Sequence, residues 1–275
     1  MSLTNKTDKR QTLLRACVLL LVFTGITSAI TGILVSLYYI PTPQKAALSI
    51  VHIQENVFAG AVIISLHRLC GLVLPFLVIS AMISVSFTQD TSAIRTKVWR
   101  TSVWLLLLAA CFIITGYILS GHNTSVFLLK GLITKISGAK SISANTSSLV
   151  DPLSFSFIRV FLLHVMLLPI AAAALLCLLR KNSSAIQPGH KPITFPLYTL
   201  YAPFCGFITV LAFYLNPAKN PVASYTEDYF DRLPGLFKLF ISLSRTLSFP
   251  MTMIVCFLTG LLLFYAPDII RKLKK

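Results

Sequence analysis

The sequence predicts an all-α, polytopic membrane protein of about six transmembrane helices. Three observations carry that expectation. The 275 residues are 56% hydrophobic and 12% charged, with only eight carboxylates and a mean hydropathy of +0.81. A soluble domain carries about twice that charge. Six stretches, 16–44, 69–89, 101–129, 160–179, 192–218 and 246–267, contain no Asp, Glu, Lys or Arg, and each reaches the roughly 20 residues that a bilayer-spanning helix needs.

Taken in order, the spans are expected near 14–39, 57–86, 99–120, 153–180, 196–216 and 247–267. The first is too long and lacks a clear cleavage site, so it is expected to be an anchor and not a signal peptide. Six spans put the N-terminus, the second and fourth loops and the C-terminus on one side. That side collects 14 of the 24 basic residues, from Lys6, Lys9 and Arg10 through Arg95 and Lys97 to Lys272, Lys274 and Lys275, against three acids, Asp8, Asp90 and Asp268. Cations favour the cytoplasmic side, so both termini are expected inside. The net charge of +16 then reports topology and attraction to anionic lipid; nucleic-acid binding is not expected.

His67 and His164 stand out because each lies about ten residues inside its own apolar segment, where an ionisable group is a functional hypothesis by default. The second and fourth spans run in the same direction. At 1.5 Å per residue, both histidines fall roughly 15 Å below the outer end of their helices. Two imidazoles at one depth on neighbouring helices are suited to be the axial ligands of a single haem iron. The other reading is that each merely hydrogen-bonds a neighbouring helix.

Several stretches carry a family resemblance. TGILVSLYYIPTPQKAALSIVHIQENVFAG (31–60), SLHRLCG (65–71), TGYILSG (115–121) and FIRVFLLHVMLLP (157–169) resemble the cytochrome b subunit of quinol-oxidising respiratory and photosynthetic complexes. The likeness continues in FPLYTLYAPFCGFITVLAFYLNP (195–217) and LPGLFKLFISLSRTLSF (233–249). It implies a cytochrome b-like bundle in two parts: a four-helix haem-binding unit over 1–190 and a two-helix unit over 191–275, shorter than in members that carry two further helices.

The family holds two haems b, each between paired histidines, the pairs spaced fourteen apart on each helix. Here the first of each pair matches His67 and His164, whereas the second falls at Ala81 and Leu178. The family's small glycines, which let a porphyrin approach the backbone, match Gly32 and Gly116 at the outer site and are replaced by Val18 and Ser102 at the inner one. The resemblance therefore implies one haem b near the outer face, with His67 and His164 as iron ligands, and an inner site refilled with side chains. Ile64 replaces the arginine that pairs with a haem propionate, and Arg68 is the candidate to take that task.

The family's Pro-Glu-Trp-Tyr motif, whose glutamate receives a proton from quinol, is matched by Pro234-Gly235-Leu236-Phe237, and a glycine cannot accept a proton. Its Pro-Trp after the third helix is replaced by Ser120 and Gly121. The usual quinol oxidation is expected to be lost, so the chain is at most an electron-transfer or non-catalytic subunit of an oxidoreductase complex. A haem-free or structural-haem scaffold that anchors other redox proteins is the alternative.

The composition makes the lipid bilayer a partner, and the resemblance adds other subunits of a redox complex, an iron-sulfur or cytochrome c subunit among them; a quinone is a further candidate that the same losses disfavour. The expected location is the bacterial inner membrane, or an organelle inner membrane. The photosynthetic short form attaches a further haem through a cysteine that falls at Ala16, one before Cys17, so covalent haem is not expected.

The six cysteines show no metal spacing and read as small buried hydrophobes. His52, His122 and His190 fall in loops as solvated imidazoles. Two amphipathic segments, 124–137 and 232–247, are expected to lie in the outer interface. The absence of a membrane-embedded carboxylate weighs against an ion-coupled transporter.

Overall fold

The computed structural model describes residues 2–86, 93–122, 125–126, 129–130, 133, 152–184, 258–259 and 261–269. Among these residues the chain is helical, without strands. Helix α1 covers Ser2–Ser36, α2 Ala46–Asn56, α3 Gly60–Ser86 and α4 Ala93–Leu119. The fourth long rod is made of α5 (Pro152–Leu162), a π turn (Leu163–Leu167) and α6 (Leu168–Ser184). Residues 261–269 form a further helical segment.

Four of these helices are long and apolar enough to cross a membrane: Leu13–Ser36, Gly60–Ser86, Ala93–Leu119 and Leu153–Ser183. They match the first four expected spans to within a few residues at most ends. The third starts six residues before the expected 99 because Ala93–Val98 continues the helix through Arg95 and Lys97. The expected fifth span and the segment 232–247 lie outside the described residues. Of the sixth, the described residues are helical.

The rods form a closed ring in which α1 packs on α3, α3 on α4, α4 on the α5–α6 rod, and α6 back on α1. With neighbours antiparallel, α3 and the α5–α6 rod stand on one diagonal, and α1 and α4 on the other. One core fills the end that holds the N-terminus: Leu14, Cys17, Val18 and Leu21 of α1, Val78, Ala81, Met82 and Val85 of α3, Val98, Val103 and Leu105 of α4, and Leu179 of α6. A second, smaller core at the far end joins Ala46, Ile118, Leu119, Leu129, Leu153 and Phe157. Outward-facing Ile26, Ile30, Ile33, Phe76, Ile83, Met166 and Ile170 are exposed, as expected where lipid is the solvent.

Helix α2 has no counterpart among the expected spans. Its buried Ala46, Ser49 and Ile53 recur at helical spacing on one face, while His52, Glu55 and Asn56 point outward. That face lies across the end of α4. A Cβ on Gly121 would meet Ala46 Cβ at 2.6 Å and Ala47 N at 2.7 Å, and the residue's φ is +69°. Glycine is therefore needed there both for space and for backbone conformation. Tyr39, whose hydroxyl donates to the Leu119 carbonyl and whose ring stacks on Phe161 at 5.6 Å, ties the end of α1 to the same region.

At the opposite end, Trp99 Nε1 donates to the Leu263 carbonyl at 2.8 Å and Arg100 pairs with Asp268 at 2.8 Å. Arg100 also lies over the Phe264 ring, 4.9 Å from its centre. These contacts hold segment 261–269 beside the start of α4. Arg100 and Asp268 thus meet at one end of the bundle, where the alternation of loops assigns both.

Candidate functional site

The layer between the two cores is polar. His67 projects from α3 toward α1, where its Nδ1 lies 3.0 Å from the Ser28 carbonyl and 3.3 Å from Thr31 Oγ1. A carbonyl oxygen only accepts, so Nδ1 carries the proton and Nε2 is left as the basic nitrogen. His164 projects from the π turn toward α4, with its Nδ1 2.7 Å from Thr115 Oγ1. The Thr115 hydroxyl also lies 2.7 Å from the Cys111 carbonyl, the usual back-bond of a helical threonine. With its proton given to Cys111, Thr115 accepts from His164, and Nε2 is again the nitrogen left over.

Each histidine rests where a glycine leaves room. A Cβ on Gly32 would lie 2.9 Å from His67 Cε1, and one on Gly116 would lie 3.2 Å from His164 Cε1. What stands against both glycines is the imidazole of the facing helix. The same Thr-Gly step, Thr31-Gly32 on α1 and Thr115-Gly116 on α4, thus serves both rings: threonine beside Nδ1, glycine beneath the ring.

The two rings face each other across the α3 to α5–α6 diagonal. Their centres are 6.3 Å apart, with planes inclined by 75°, and the Phe112 ring stands edge-on to His164 at 5.4 Å. An imidazole nitrogen sits about 2 Å from a metal it ligates. Two imidazoles on opposite sides of one metal ion therefore have ring centres about 6 Å apart, and the observed spacing suits that arrangement. No group of three or more His, Cys, Asp or Glu side chains gathers into a metal cluster among the described residues; the donor set here is a histidine pair.

Arg68 follows His67 on α3 and is half-buried. It makes no ion pair among the described residues. It acts electrostatically on His122 at the far end of α4, which is buried and not solvated as the sequence alone suggests. Burial, and secondly the Arg68 charge, push the His122 pKa down to about 4.

At the other end the same four helices have no such layer. Val18, Ala81 and Ser102 are buried, and the Ser102 hydroxyl is spent on the Val98 carbonyl of its own helix. Fourteen residues beyond His164, Leu178 is 50% exposed on the bundle surface, whereas Leu179 is wholly buried in the core. The π turn explains this shift. It takes up one extra residue, about 100° of helical rotation, so the fifteenth residue faces the interior in place of the fourteenth. Pro169 lies two residues beyond the turn and has no N–H for the Val165 carbonyl, which favours widening there. Cys17 and Cys70 are buried as expected, while Cys111 and Cys177 are exposed on the outside of the bundle.

Residues 12–181 match the family described as cytochrome b/b6/petB. The chain belongs to the cytochrome b family. Cytochrome b6 of Heliomicrobium gestii is 30% identical over 159 residues, which span 54% of this chain and 71% of that protein. Cytochrome b6 of Euglena gracilis is 27% identical over 148 residues, 52% of this chain and 68% of that protein. In fold, the chain resembles one in a structure titled hyperthermophilic respiratory Complex III. The TM-score is 0.63 at 18% identity, over 93% of this chain and 75% of that one. Membership makes this cytochrome b a multi-pass membrane protein of the electron-transfer class and implies haem b as its cofactor.

Proposed function

We propose that this cytochrome b is an electron-transfer subunit that holds a single haem b between His67 and His164, in the half of the bundle away from the N-terminus. The observation that carries the reading is the pair of imidazoles 6.3 Å apart, each with Nδ1 committed to a different flanking helix so that both Nε2 atoms remain for iron. When bound, a bis-histidine haem supplies a one-electron carrier.

The protein's own residues do the rest. Ser28 and Thr115 fix the two rings, Gly32 and Gly116 give them space against the flanking helices, and Phe112 shields one edge of His164. Arg68, half-buried beside His67 without an acidic partner among the described residues, is the cation for a haem carboxylate.

A second haem is not expected. Val18, Ala81, Ser102 and Leu179 leave neither a ligand nor room at the N-terminal end. Electron transfer is thereby confined to one half of the membrane. With Gly235 in place of the proton-accepting glutamate of the quinol-oxidising motif, in a loop outside the described residues, the chain serves its complex as a carrier and not as the site of quinol oxidation. An iron-sulfur or cytochrome c subunit on the far side is the corresponding partner. The basic loops favour a bacterial inner membrane with both termini cytoplasmic.

The test is a haem spectrum of the purified full chain and of His67→Ala and His164→Ala. Loss of the reducible haem signal in both variants, with helical content unchanged, is the expected result. Retention of haem in either variant rules out the axial pair. A well-folded wild type with no haem at all would instead make the chain a membrane scaffold.

A further inference from the structure

The two proposed ligands are held in chemically different ways. At His67 the acceptor for Nδ1 is the Ser28 backbone carbonyl at 3.0 Å. Thr31 lies farther off at 3.3 Å and directs its hydroxyl to the Thr27 and Ser28 carbonyls at 2.8 and 3.1 Å. At His164 the acceptor among the described residues is a side chain, Thr115 Oγ1 at 2.7 Å. Thr115 is buried, and its hydroxyl is itself oriented by the carbonyls of Cys111 and Phe112 at 2.7 and 3.2 Å. A backbone carbonyl is present whatever residue occupies its position; a threonine hydroxyl is not. The tautomer of His67 is thus set by main-chain geometry, whereas that of His164 depends on one replaceable group.

We infer that Thr115 is a positioning residue for His164, fixing its Nδ1–H tautomer and the donor strength of its Nε2, and that Thr31 has no equivalent role for His67. The inference rests on the histidine pair proposed above. An acceptor on the remote N–H of a ligating imidazole raises its basicity, and removing such a partner typically costs 10- to 100-fold in metal affinity. A more basic imidazole favours ferric over ferrous iron. Loss of the Thr115 acceptor therefore raises the midpoint potential, by about 59 mV for each tenfold change in that preference.

The experiment compares Thr115→Val, Thr115→Ser and Thr31→Val in the full chain, by two readouts. The first needs no haem: 15N-histidine NMR of the detergent-solubilised apoprotein reports the tautomer of each ring. Thr115→Val is expected to move His164 away from a pure Nδ1–H form, Thr115→Ser to restore it, and Thr31→Val to leave His67 unchanged. The second is a redox titration of the haem-loaded protein, where Thr115→Val is expected to raise the potential and weaken haem retention about tenfold, and Thr115→Ser to match wild type. A Thr115→Val protein with wild-type tautomer and potential overturns the inference. So does a Thr31→Val protein that shifts as much as Thr115→Val. Retention of haem by His164→Ala overturns the axial pair itself, a result the tautomer measurement does not depend on.

Discussion

On α1, α3, α4 and the α5–α6 rod, the layer near the N-terminus holds Val18, Ala81, Ser102 and Leu179, all buried, with Val18, Ala81 and Leu179 packed into one apolar core. About fifteen residues away along the same helices, the far layer holds Gly32, His67, Gly116 and His164. There the glycines make room and the threonines just before them approach the imidazole nitrogens. The backbone scaffold is common to both layers, and the difference is carried by a handful of side chains. A packed membrane interior tolerates a polar ring only where hydrogen-bond partners meet it, and in the far layer Ser28 and Thr115 meet the two imidazoles.

The two layers differ most in energy at the register of the fourth rod. Leu179→Ala would open a cavity in the closed layer and is expected to cost on the order of 2 kcal/mol. Leu178→Ala, on the lipid-facing surface, is expected to cost under about 1 kcal/mol, because lipid is as apolar as the side chain removed. Equal losses in a detergent unfolding titration would contradict the one-residue shift that the π turn imposes.

A smaller effect is expected at the glycines of the open layer. Gly32→Ala places a methyl group 2.9 Å from His67, tighter than the 3.2 Å that Gly116→Ala gives at His164, while Gly71→Ala meets nothing within 4 Å. Haem retention should fall in that order, with Gly71→Ala at the wild-type level, as measured by absorbance after dilution in detergent. A Gly32→Ala protein that binds haem as well as Gly71→Ala would mean that the imidazole is not confined as described.

The smallest expected effect is one of pH at the far end of the bundle. The His122 pKa in the folded chain lies at about 4, below the ordinary 6.5. The folded state therefore binds fewer protons than the unfolded state between those values. The stability His122 confers is present above pH 6.5 and is lost as pH falls toward 4. His122→Gln should flatten the fall in thermal midpoint over that window, and an unchanged slope would place the titration elsewhere.

Much of this was legible in the sequence. Stretches free of charge locate the first four spans because a helix in lipid satisfies its own backbone, so apolar length alone reveals it. His67 and His164 stand out because an ionisable side chain in such a stretch needs a reason, whereas Gly32 and Gly116 are reached only through the family resemblance. Three features were not found. Helix α2 is too short for a span and rests on Ala46, Ser49 and Ile53, small or moderate residues that give a weak periodic signal. Leu179 was missed because the family spacing of fourteen leads to Leu178, whereas the π turn moves the inward-facing position on by one residue, and Pro169 was the available clue. The burial of His122 arises from tertiary packing at the far end of α4, which no local pattern announces.

The haem-to-protein ratio of the purified full chain distinguishes one open layer from two. A pyridine haemochrome assay against quantified protein should give a ratio near one. A ratio near two would require a haem site where Ala81 and Leu179 are buried in the core, and would mean that this layer is open as well.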